Sequence, residues 1–243
     1  MSEDVKGNRN IFLIAAGVLA LSIVVGAYLL GDGLRRARMA DRAVTMRGLA
    51  ERNVTADLAT WNISFGVQGT DLAEVQAEVD RDTAKVREFF TRAGFPADVI
   101  TDGGGSVNSN YDNDRAATIF NINRRLQFRS NDVMRARAAY SRQFDLIRAG
   151  VPLQEGSNMV YSFTRLNTVK PDMIHESTLD ARSGAERFAA DSGSSVGGIR
   201  SATQGYFSIG ARDGDVSEEG GGGAGDSPFQ KVRVVTTIEF YLN

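Results

Sequence analysis

An unbroken apolar segment near the N-terminus is the feature that most constrains this chain. Residues Ile11–Leu30 (IFLIAAGVLALSIVVGAYLL) contain no charged side chain. At a rise of about 1.5 Å per residue, a helix of this length spans about 30 Å, the thickness of the hydrocarbon core of a bilayer. Ser22 and the Tyr28 hydroxyl are its polar groups, whereas a helix buried in a soluble core usually keeps a polar stripe. The segment predicts one transmembrane helix over residues 11–30, after a short tail of residues 1–10.

A cleaved signal peptide is the alternative for this segment. Its apolar core is usually about 7 to 15 residues long and ends at a small-x-small cleavage site. The residues that follow Leu30 read GDGLRRARMADR and contain four arginines. We therefore expect an uncleaved signal-anchor, followed by a juxtamembrane linker of residues 31–41.

The charges that flank the apolar segment give conflicting indications of its orientation. Lys6 and Arg9 precede it, and four arginines follow it, at positions 35, 36, 38 and 42. The positive-inside rule places the richer flank in the cytoplasm, but long domains are exported largely regardless of flanking charge. Both orientations remain open on these grounds.

Charge and cysteine content exclude several classes of function. The chain has 28 basic and 30 acidic residues, so it has no global positive field to attract a nucleic acid, and we expect no nucleic-acid partner. It has no cysteine, which excludes disulfides, thiol nucleophiles and thiolate metal sites.

Residues 42–243 alternate between the hydrophobic periods of strands and helices. VTADLATWNISFGVQ places Trp61 among apolar residues at alternate positions, which predicts a strand with a core tryptophan rather than a tryptophan that stacks on a ligand. RAVTMRG predicts a strand before it, with a turn at LAERN. Further strands are predicted in NMVYSFTRL, IRSATQGYFSI and QKVRVVTTIEFYL, and a hairpin with one polar face in VITDGGGSVNSNYDNDRAATIFNINRRLQFRS.

Three helices are predicted between these strands. The first runs from Asp71 to Gly94, with Asp71 or Thr70 as N-cap. The second begins at Asn131 or Asp132 and runs to about Ala149. The third follows KP, with Pro171 near its first turn, and small residues dominate one of its faces. This order of elements predicts an α+β domain in which three helices pack on a largely antiparallel sheet.

Several of these segments resemble one family. VTMRGLAERNVTADLATWNISF, MVYSFTRLN, the helix after KPDMI and the closing VRVVTTIEFYL are similar to the SIMPL domain, a domain of unknown function, over about residues 42–243. The resemblance implies a bacterial envelope protein with a signal peptide or anchor. Some members are linked to oxidative-stress defence and one branch forms ring-shaped oligomers, so the resemblance also implies a homo-oligomer. Any stress role of a chain without cysteine must be indirect.

The resemblance also bears on location. It implies a single-pass protein of the bacterial inner membrane whose C-terminal domain is periplasmic, and a cytoplasmic domain is the alternative. Residues 11–30 would contact the lipid bilayer, and a protein of the envelope is a further expected partner. The Gly-rich loop at residues 219–225 matches no family site.

Several short motifs suggest chemistry when they are taken in isolation. GSSVG at residues 193–197 matches the G-x-S-x-G elbow around Ser195, but a helix is predicted before it and a strand after it, the reverse of the required order. NSNYDND at residues 108–114 has the alternating oxygens of a calcium loop but lacks its glycine and glutamate, so a hairpin turn is predicted. GGG at residues 103–105 is followed by no G-K-S/T.

The remaining candidates are equally weak. His175 is the only histidine, and together with Glu176 it cannot form a metal site, so we expect it on the surface near the start of the third helix. The run RRLQFR at residues 124–129 could meet an anionic partner, although its alternation favours an exposed strand face. The sequence therefore predicts no catalytic, cofactor-binding or metal-ligating residue, and no cofactor.

Two functions from different classes remain. The first is a membrane-anchored, non-catalytic structural or interaction module of the envelope that self-associates through its sheet edges and the small-residue face of the third helix. The second is a hydrolytic or redox enzyme with a carboxylate-based site that the sequence does not locate. The absence of a catalytic motif favours the first.

Overall fold

The structure is a computed structural model that describes residues 17, 19–33, 42–213 and 225–243. Residues 19–33 form helix α1. Across these described ranges, no helix is both long and apolar enough to cross a membrane. The tail of residues 1–10 lies outside the described residues, as do residues 11–16 and 18 of the predicted span, residues 34–41 of the linker and residues 219–224 of the Gly-rich loop. The transmembrane helix therefore stays a prediction.

The chain after residue 42 combines antiparallel strand pairs with several helices, and this confirms the α+β class. The strands are β1 (Ala43–Thr55), β2 (Leu58–Gly69), β3 (Ile100–Asp112), β4 (Ala117–Ser130), β5 (Met159–Ser162), β6 (Val196–Gln204), β7 (Ser208–Ala211) and β8 (Phe229–Leu242). The helices are α2 (Leu72–Arg92), α3 (Val133–Tyr140), α4 (Phe144–Arg148) and α5 (Leu166–Asp191), with a 3-10 turn at Ala97–Val99.

The strands form two four-stranded sheets rather than the single sheet that the sequence predicted. One sheet has the order β3-β4-β2-β5, and its neighbouring strands are antiparallel. The other has the order β1-β8-β6, with β7 also paired to β8, and both β6 and β7 run antiparallel to β8. A period of two shows which residues of a strand face inward, but it does not show which strands pair.

The chain divides into two compact units. The first comprises the described residues of Met1–Leu49, Glu176–Gly205 and Val235–Asn243. The second comprises Ala50–His175 and the described residues of Tyr206–Val234. The second unit contains the whole β3-β4-β2-β5 sheet. Helix α2 contacts strands β2 and β4 of that sheet, and helix α3 contacts β2.

An aromatic cluster forms the centre of the second unit's core. Trp61 is fully buried, which confirms the prediction of a core tryptophan. Its ring packs edge-on against the rings of Phe90 and Tyr140, with distances of 5.6 and 5.0 Å between ring centroids. The Phe90 ring stacks on the Phe128 ring with their centroids 4.4 Å apart. Offset and edge-on pairs of this kind add about 0.5–1.5 kcal/mol each beyond the area they bury.

The helix ends follow the local signals in the sequence, with one exception. The Asp71 carboxylate accepts from the Ala73 amide at 2.7 Å, and Asp132 accepts from the Arg135 amide at 3.1 Å, so both predicted N-caps are confirmed. The second helix is not continuous to Ala149, however. After Tyr140 the backbone amides of Arg142 and Gln143 donate hydrogen bonds to the carbonyls three residues earlier, as in a 3-10 helix. This tighter turn separates α3 from α4.

Three further boundaries differ from the predictions. LAERN continues β1 and is not a turn, because its polar residues are exposed or half-buried while Ala50 is buried. IRSATQGYFSI is divided into β6 and β7. Helix α5 begins at Leu166, five residues before Pro171, so the proline lies inside the helix. Because proline has no backbone N–H, one hydrogen bond of the helix is missing there, near its N-terminal end.

The first unit has its own small core against α5. Ala181 and Ala185 pack with Val44, Ile238 and Phe240. The Ser177 and Thr236 hydroxyls, both buried, lie 2.7 Å apart within hydrogen-bonding distance. The small-residue face of the third predicted helix is therefore filled by residues of the same unit and is not free to meet another copy.

Candidate functional site

The β3-β4-β2-β5 sheet has one polar face opposite its core. Trp61 pairs with Phe128 and Ile63 with Leu126 across β2 and β4, and these side chains are buried. Because side chains alternate along a strand, the pairs in between face the other way. Those pairs are Asn62 with Gln127, Ser64 with Arg125, and Gly66 with Asn123. The predicted single polar face is thereby confirmed for β4, and β2 extends it, whereas residues 101–111 of β3 are exposed on both faces.

An open pocket of about 470 Å³ lies on this face. Its polar lining includes Asn62, Ser64, Gly103, Arg125, Gln127 and Glu155. The Gln127 amide donates to Asn62 Oδ1 at 3.3 Å, so these two carboxamides orient one another. The pocket therefore offers hydrogen-bond donors, acceptors and one charge of each sign within a single cavity.

A β-bulge shapes one side of the pocket. The register of β3 against β4 shifts between Asp102 and Gly105, and Gly104 has a φ of +82°. A Cβ at Gly103 would lie 3.1 Å from Arg125 Cγ, so the glycine leaves room for the arginine stem. The GGG run thus lies within a strand and not at a helix N-terminus. Bulges commonly re-aim side chains beside functional sites.

The segment before β5 forms the opposite side of the pocket. The Gln154 amide donates to the Ser64 carbonyl at 2.8 Å, and the Ser157 hydroxyl donates to the same carbonyl at 3.0 Å. The Trp61 indole Nε1 donates to the Ser157 carbonyl at 3.2 Å. These bonds fix the segment that carries Glu155 against β2, and they link it to the core tryptophan.

The pocket contains one side chain of each charge, Arg125 and Glu155. Among the described residues neither side chain has a hydrogen-bond or ion-pair partner, and both residues are exposed. The neighbouring Arg124, which faces the other side of the sheet, is instead paired with Asp102. Sequence analysis placed Arg125 in an exposed run but gave no sign of Glu155, which is 30 positions away along the chain.

A second, smaller pocket of about 130 Å³ is lined by Phe89, Arg92, Ala93, Arg142 and Asp145. Each of these two pockets contains one carboxylate, Glu155 in the first and Asp145 in the second. Acid-base hydrolysis of the kind that paired carboxylates perform needs two such groups facing one substrate. Among the described residues, no group of three or more His, Cys, Asp and Glu side chains could hold a metal ion.

Of the residues singled out by short motifs, Gly103 lines the pocket, whereas His175, Ser195 and residues 108–114 do not. His175 is exposed, as predicted, but it is the tenth residue of the 26-residue helix α5 and does not lie in the first turn. Ser195 lies after α5 and before β6, which is the predicted order and the reverse of a nucleophile elbow. In NSNYDND, residues 108–112 belong to β3 and the hairpin turn begins only at Asn113; the Asp112 carboxylate accepts from the Asp114 amide at 3.0 Å at the start of that turn.

Helix α2 carries a buried carboxylate that was not among the residues predicted from the sequence. Asp82 is 1% exposed and lies on the same helix face as Val75, Val79 and Val86. Its Oδ1 accepts from Lys85 Nζ at 2.8 Å, while Oδ2 has no hydrogen-bond partner among the described residues. The signal was present, because position 82 falls in the apolar stripe of the helix.

Asp57 fixes the turn between β1 and β2 to the segment before α5. It accepts from the Thr164 amide at 2.8 Å, the Thr164 hydroxyl at 2.9 Å and Arg165 Nε at 2.8 Å. Burial alone would raise the pKa of Asp57, but the hydrogen bonds from Thr164 and Arg165, with the charge of Arg165, outweigh it and hold the pKa below its usual value. These contacts give Asp57 a structural role at this turn.

Strand β3 forms an edge of its sheet. In the described part of the chain it pairs with β4 alone, and residues 101–111 are all exposed. Val107 and Tyr111 are each 61% exposed. One side of this strand therefore presents backbone donors and acceptors that no strand of the described chain uses.

These features define an α+β protein of two antiparallel four-stranded sheets, one of which carries a polar pocket and an open edge. The family model of SIMPL, a protein of unknown function (DUF541), matches residues 44–240, well over half of the chain. The chain therefore belongs to the SIMPL family, as its strand and helix segments predicted. A comparison with curated proteins finds no match.

Proposed function

We propose that this protein is a membrane-anchored, non-catalytic interaction module of the bacterial envelope, and that it self-associates through β3. The observation that carries this proposal is the open edge of that strand. The partner is β3 of a second copy, which runs antiparallel to it about a two-fold axis, so that each edge uses the same residues.

The composition of β3 supports an edge that is built to pair. Natural edge strands are usually protected by lysine, proline, short length or a bulge. This strand is 13 residues long and has no lysine or proline, and its bulge lies towards its N-terminal end at Gly103 and Gly104. Its two charges, Asp102 and Asp112, flank the stretch from Ser106 to Tyr111. That stretch is left without a residue that would repel a second strand.

The anchor and the location rest on the sequence. Residues Ile11–Leu30 have the length and composition of a bilayer-spanning helix, and the arginines that follow argue against cleavage. We assign the C-terminal domain to the periplasm. A role in stress protection would be indirect, because the chain has no cysteine to oxidise. A hydrolytic or redox enzyme has less support, since each of the two pockets described above offers one carboxylate.

Light scattering on the full chain in detergent tests self-association. We expect a protein mass per particle of at least two chains, and a mass of one chain for the double variant Val107→Lys/Asn108→Lys, because opposed lysines repel at a paired edge. The control Val107→Thr/Asn108→Thr keeps a strand-forming edge without charge and is expected to self-associate. A single-chain mass for the wild type, or an unchanged mass for the lysine variant, would contradict the proposal.

Thiol labelling in intact cells tests the location. Tyr206 is 98% exposed, and the chain has no cysteine, so Tyr206→Cys introduces one accessible thiol. A maleimide that cannot cross the inner membrane should label this variant in cells whose outer membrane alone is permeabilised. Labelling only after lysis would place the domain in the cytoplasm.

A further inference from the structure

We infer that the pocket on the polar face of the β3-β4-β2-β5 sheet binds a small zwitterion, namely an amino acid or a short peptide with a free carboxylate and a free ammonium group. This inference concerns a ligand of the monomer's own sheet and does not depend on self-association.

Arg125 supplies the site for the carboxylate. A guanidinium presents parallel N–H donors that match the two oxygens of a carboxylate, and such charge-assisted bonds are about twice as strong as neutral ones. No described residue uses these donors. Gly103 leaves space beside the stem of Arg125, since a Cβ there would approach Arg125 Cγ to 3.1 Å.

Glu155 supplies the site for the ammonium group. Glu155 lies between Gln154 and Ser157 in the chain. The Gln154 backbone amide donates to the Ser64 carbonyl at 2.8 Å and the Ser157 hydroxyl donates to the same carbonyl, so the backbone around Glu155 is held against β2. Its carboxylate is exposed and has no partner among the described residues. A ligand with one charge of each sign would satisfy both side chains, whereas a simple anion would leave Glu155 facing a like charge.

The neutral lining fits the groups between the two charges of such a ligand. Asn62 and Gln127 each present a carboxamide, which can donate to a peptide carbonyl and accept from a peptide N–H. Their mutual bond of 3.3 Å fixes which atoms remain for a ligand. Asn62, Ser64, Gly103, Arg125, Gln127 and Glu155 include no aromatic or aliphatic side chain, so a hydrophobic ligand would gain little here. One arginine opposed by one glutamate is also a poor match for a polyphosphate.

Calorimetric titration of the full chain, in detergent where needed, tests the inference with three probes. The probes are L-alanine, the dipeptide L-Ala-L-Ala, and N-acetyl-L-alaninamide, which has the same shape of backbone but neither charge. Trp61 gives a second readout, because it is the only tryptophan and its indole bonds to Ser157 beside the pocket. At up to about 20 mM ligand, a dissociation constant in the millimolar range would be resolved. We expect saturable binding of alanine or the dipeptide and none of the neutral compound.

Three exposed positions provide matched variants. Arg125→Gln and Glu155→Gln should each weaken binding of the zwitterion at least about ten-fold, because each removes one charge-assisted contact. Arg129→Gln changes an exposed arginine four residues after Arg125 on the same face of β4, outside the pocket lining, and should alter binding less than about two-fold. No saturable binding of either zwitterion, equal binding of the neutral compound, or wild-type affinity in both pocket variants would overturn the inference. Light scattering tests self-association through β3 independently of this titration, so a negative result for one proposal leaves the other standing.

Discussion

The backbone of Ser177 lies so close to Gly48 that a Cβ at Gly48 would sit 1.8 Å from the Ser177 carbonyl oxygen. The same Cβ would lie 2.6 Å from the Ala181 amide nitrogen. Both contacts are with backbone atoms of α5, which cannot rotate away as a flexible side chain can. In the first unit, β1 therefore approaches α5 at a distance that only glycine allows.

Gly48→Ala is accordingly expected to destabilise the protein by at least about 3 kcal/mol, because the helix and the strand must separate to admit a methyl group. Gly184 provides the control. It lies within α5, where a Cβ would meet nothing nearer than Met46 Sδ at 3.8 Å. Gly184→Ala should raise the free energy of unfolding by up to about 1 kcal/mol through helix propensity. Urea unfolding of the two variants should give opposite signs, and a mild effect of Gly48→Ala would refute the close approach.

The buried pair of Asp82 and Lys85 gives a second prediction. Lys85→Met should lower the free energy of unfolding by about 2 kcal/mol, since it leaves the buried Asp82 carboxylate without its cation. This loss is smaller than that expected for a fully buried ion pair, because the Lys85 side chain is partly exposed. Adding Asp82→Asn to Lys85→Met should recover part of that loss, because the uncompensated charge is then gone. A double-mutant cycle by chemical unfolding measures this. A double variant that is less stable than Lys85→Met alone would show that the ion pair is not the relevant interaction.

The hydrogen bonds to Asp57 give a prediction about pH. Because the pKa of Asp57 is lower in the folded than in the unfolded chain, its contribution is present above the unfolded pKa and is lost as pH falls through the folded pKa. Asp57→Asn should therefore be less stable than wild type by about 1–2 kcal/mol at neutral pH, where three donors lose a charged acceptor. The difference should shrink below about pH 4, near the ordinary pKa of aspartate. Thermal unfolding at pH 7 and pH 3 measures it, and a gap that widens in acid would contradict the assigned role.

The N-cap of α2 gives a smaller and more local prediction. Asp71 accepts from the amides of Ala73 and Glu74 at 2.7 and 3.2 Å. Asp71→Ala should cost about 1 kcal/mol, and Asp71→Asn much less, because asparagine is also a good cap. Chemical unfolding of both variants distinguishes the cap from a general effect of the substitution. Equal losses in the two variants would point to the charge rather than to the cap.

Local features of this fold could be predicted because they depend on neighbours in sequence. The core position of Trp61 follows from spacing and residue type, and the same signals reduce each of two N-caps to a pair of neighbouring residues, of which the structure uses Asp71 and Asp132. The prediction of a turn at LAERN was wrong because its polar residues have the composition of a turn. In the structure Glu51 lies 3.6 Å from Lys231 on the neighbouring strand β8, a partner 180 positions away. Such a pairing leaves no trace in a window of a few residues.

The pocket could not be predicted for the same reason. Asn62, Arg125 and Glu155 come from three distant segments, and only the pairing of β2 with β4 and of residues 153–157 with β2 brings them to one face. Arg125 alone carried a sequence signal, as part of an exposed basic run. Asp82 was predictable in principle, because it occupies an apolar position in the stripe of α2.

Cysteine cross-linking along β3 tests the central claim of self-association most directly. Single cysteines are placed in turn from Ser106 to Tyr111 in the full chain, which has none of its own, with Arg129→Cys on the face of β4 as control. If two copies pair antiparallel through β3, mild oxidation gives a disulfide-linked dimer at the position nearest the two-fold axis, where the Cα atoms are about 5.5 Å apart, and little at Arg129→Cys. Dimers at none of the β3 positions, or equally at Arg129→Cys, would contradict the account.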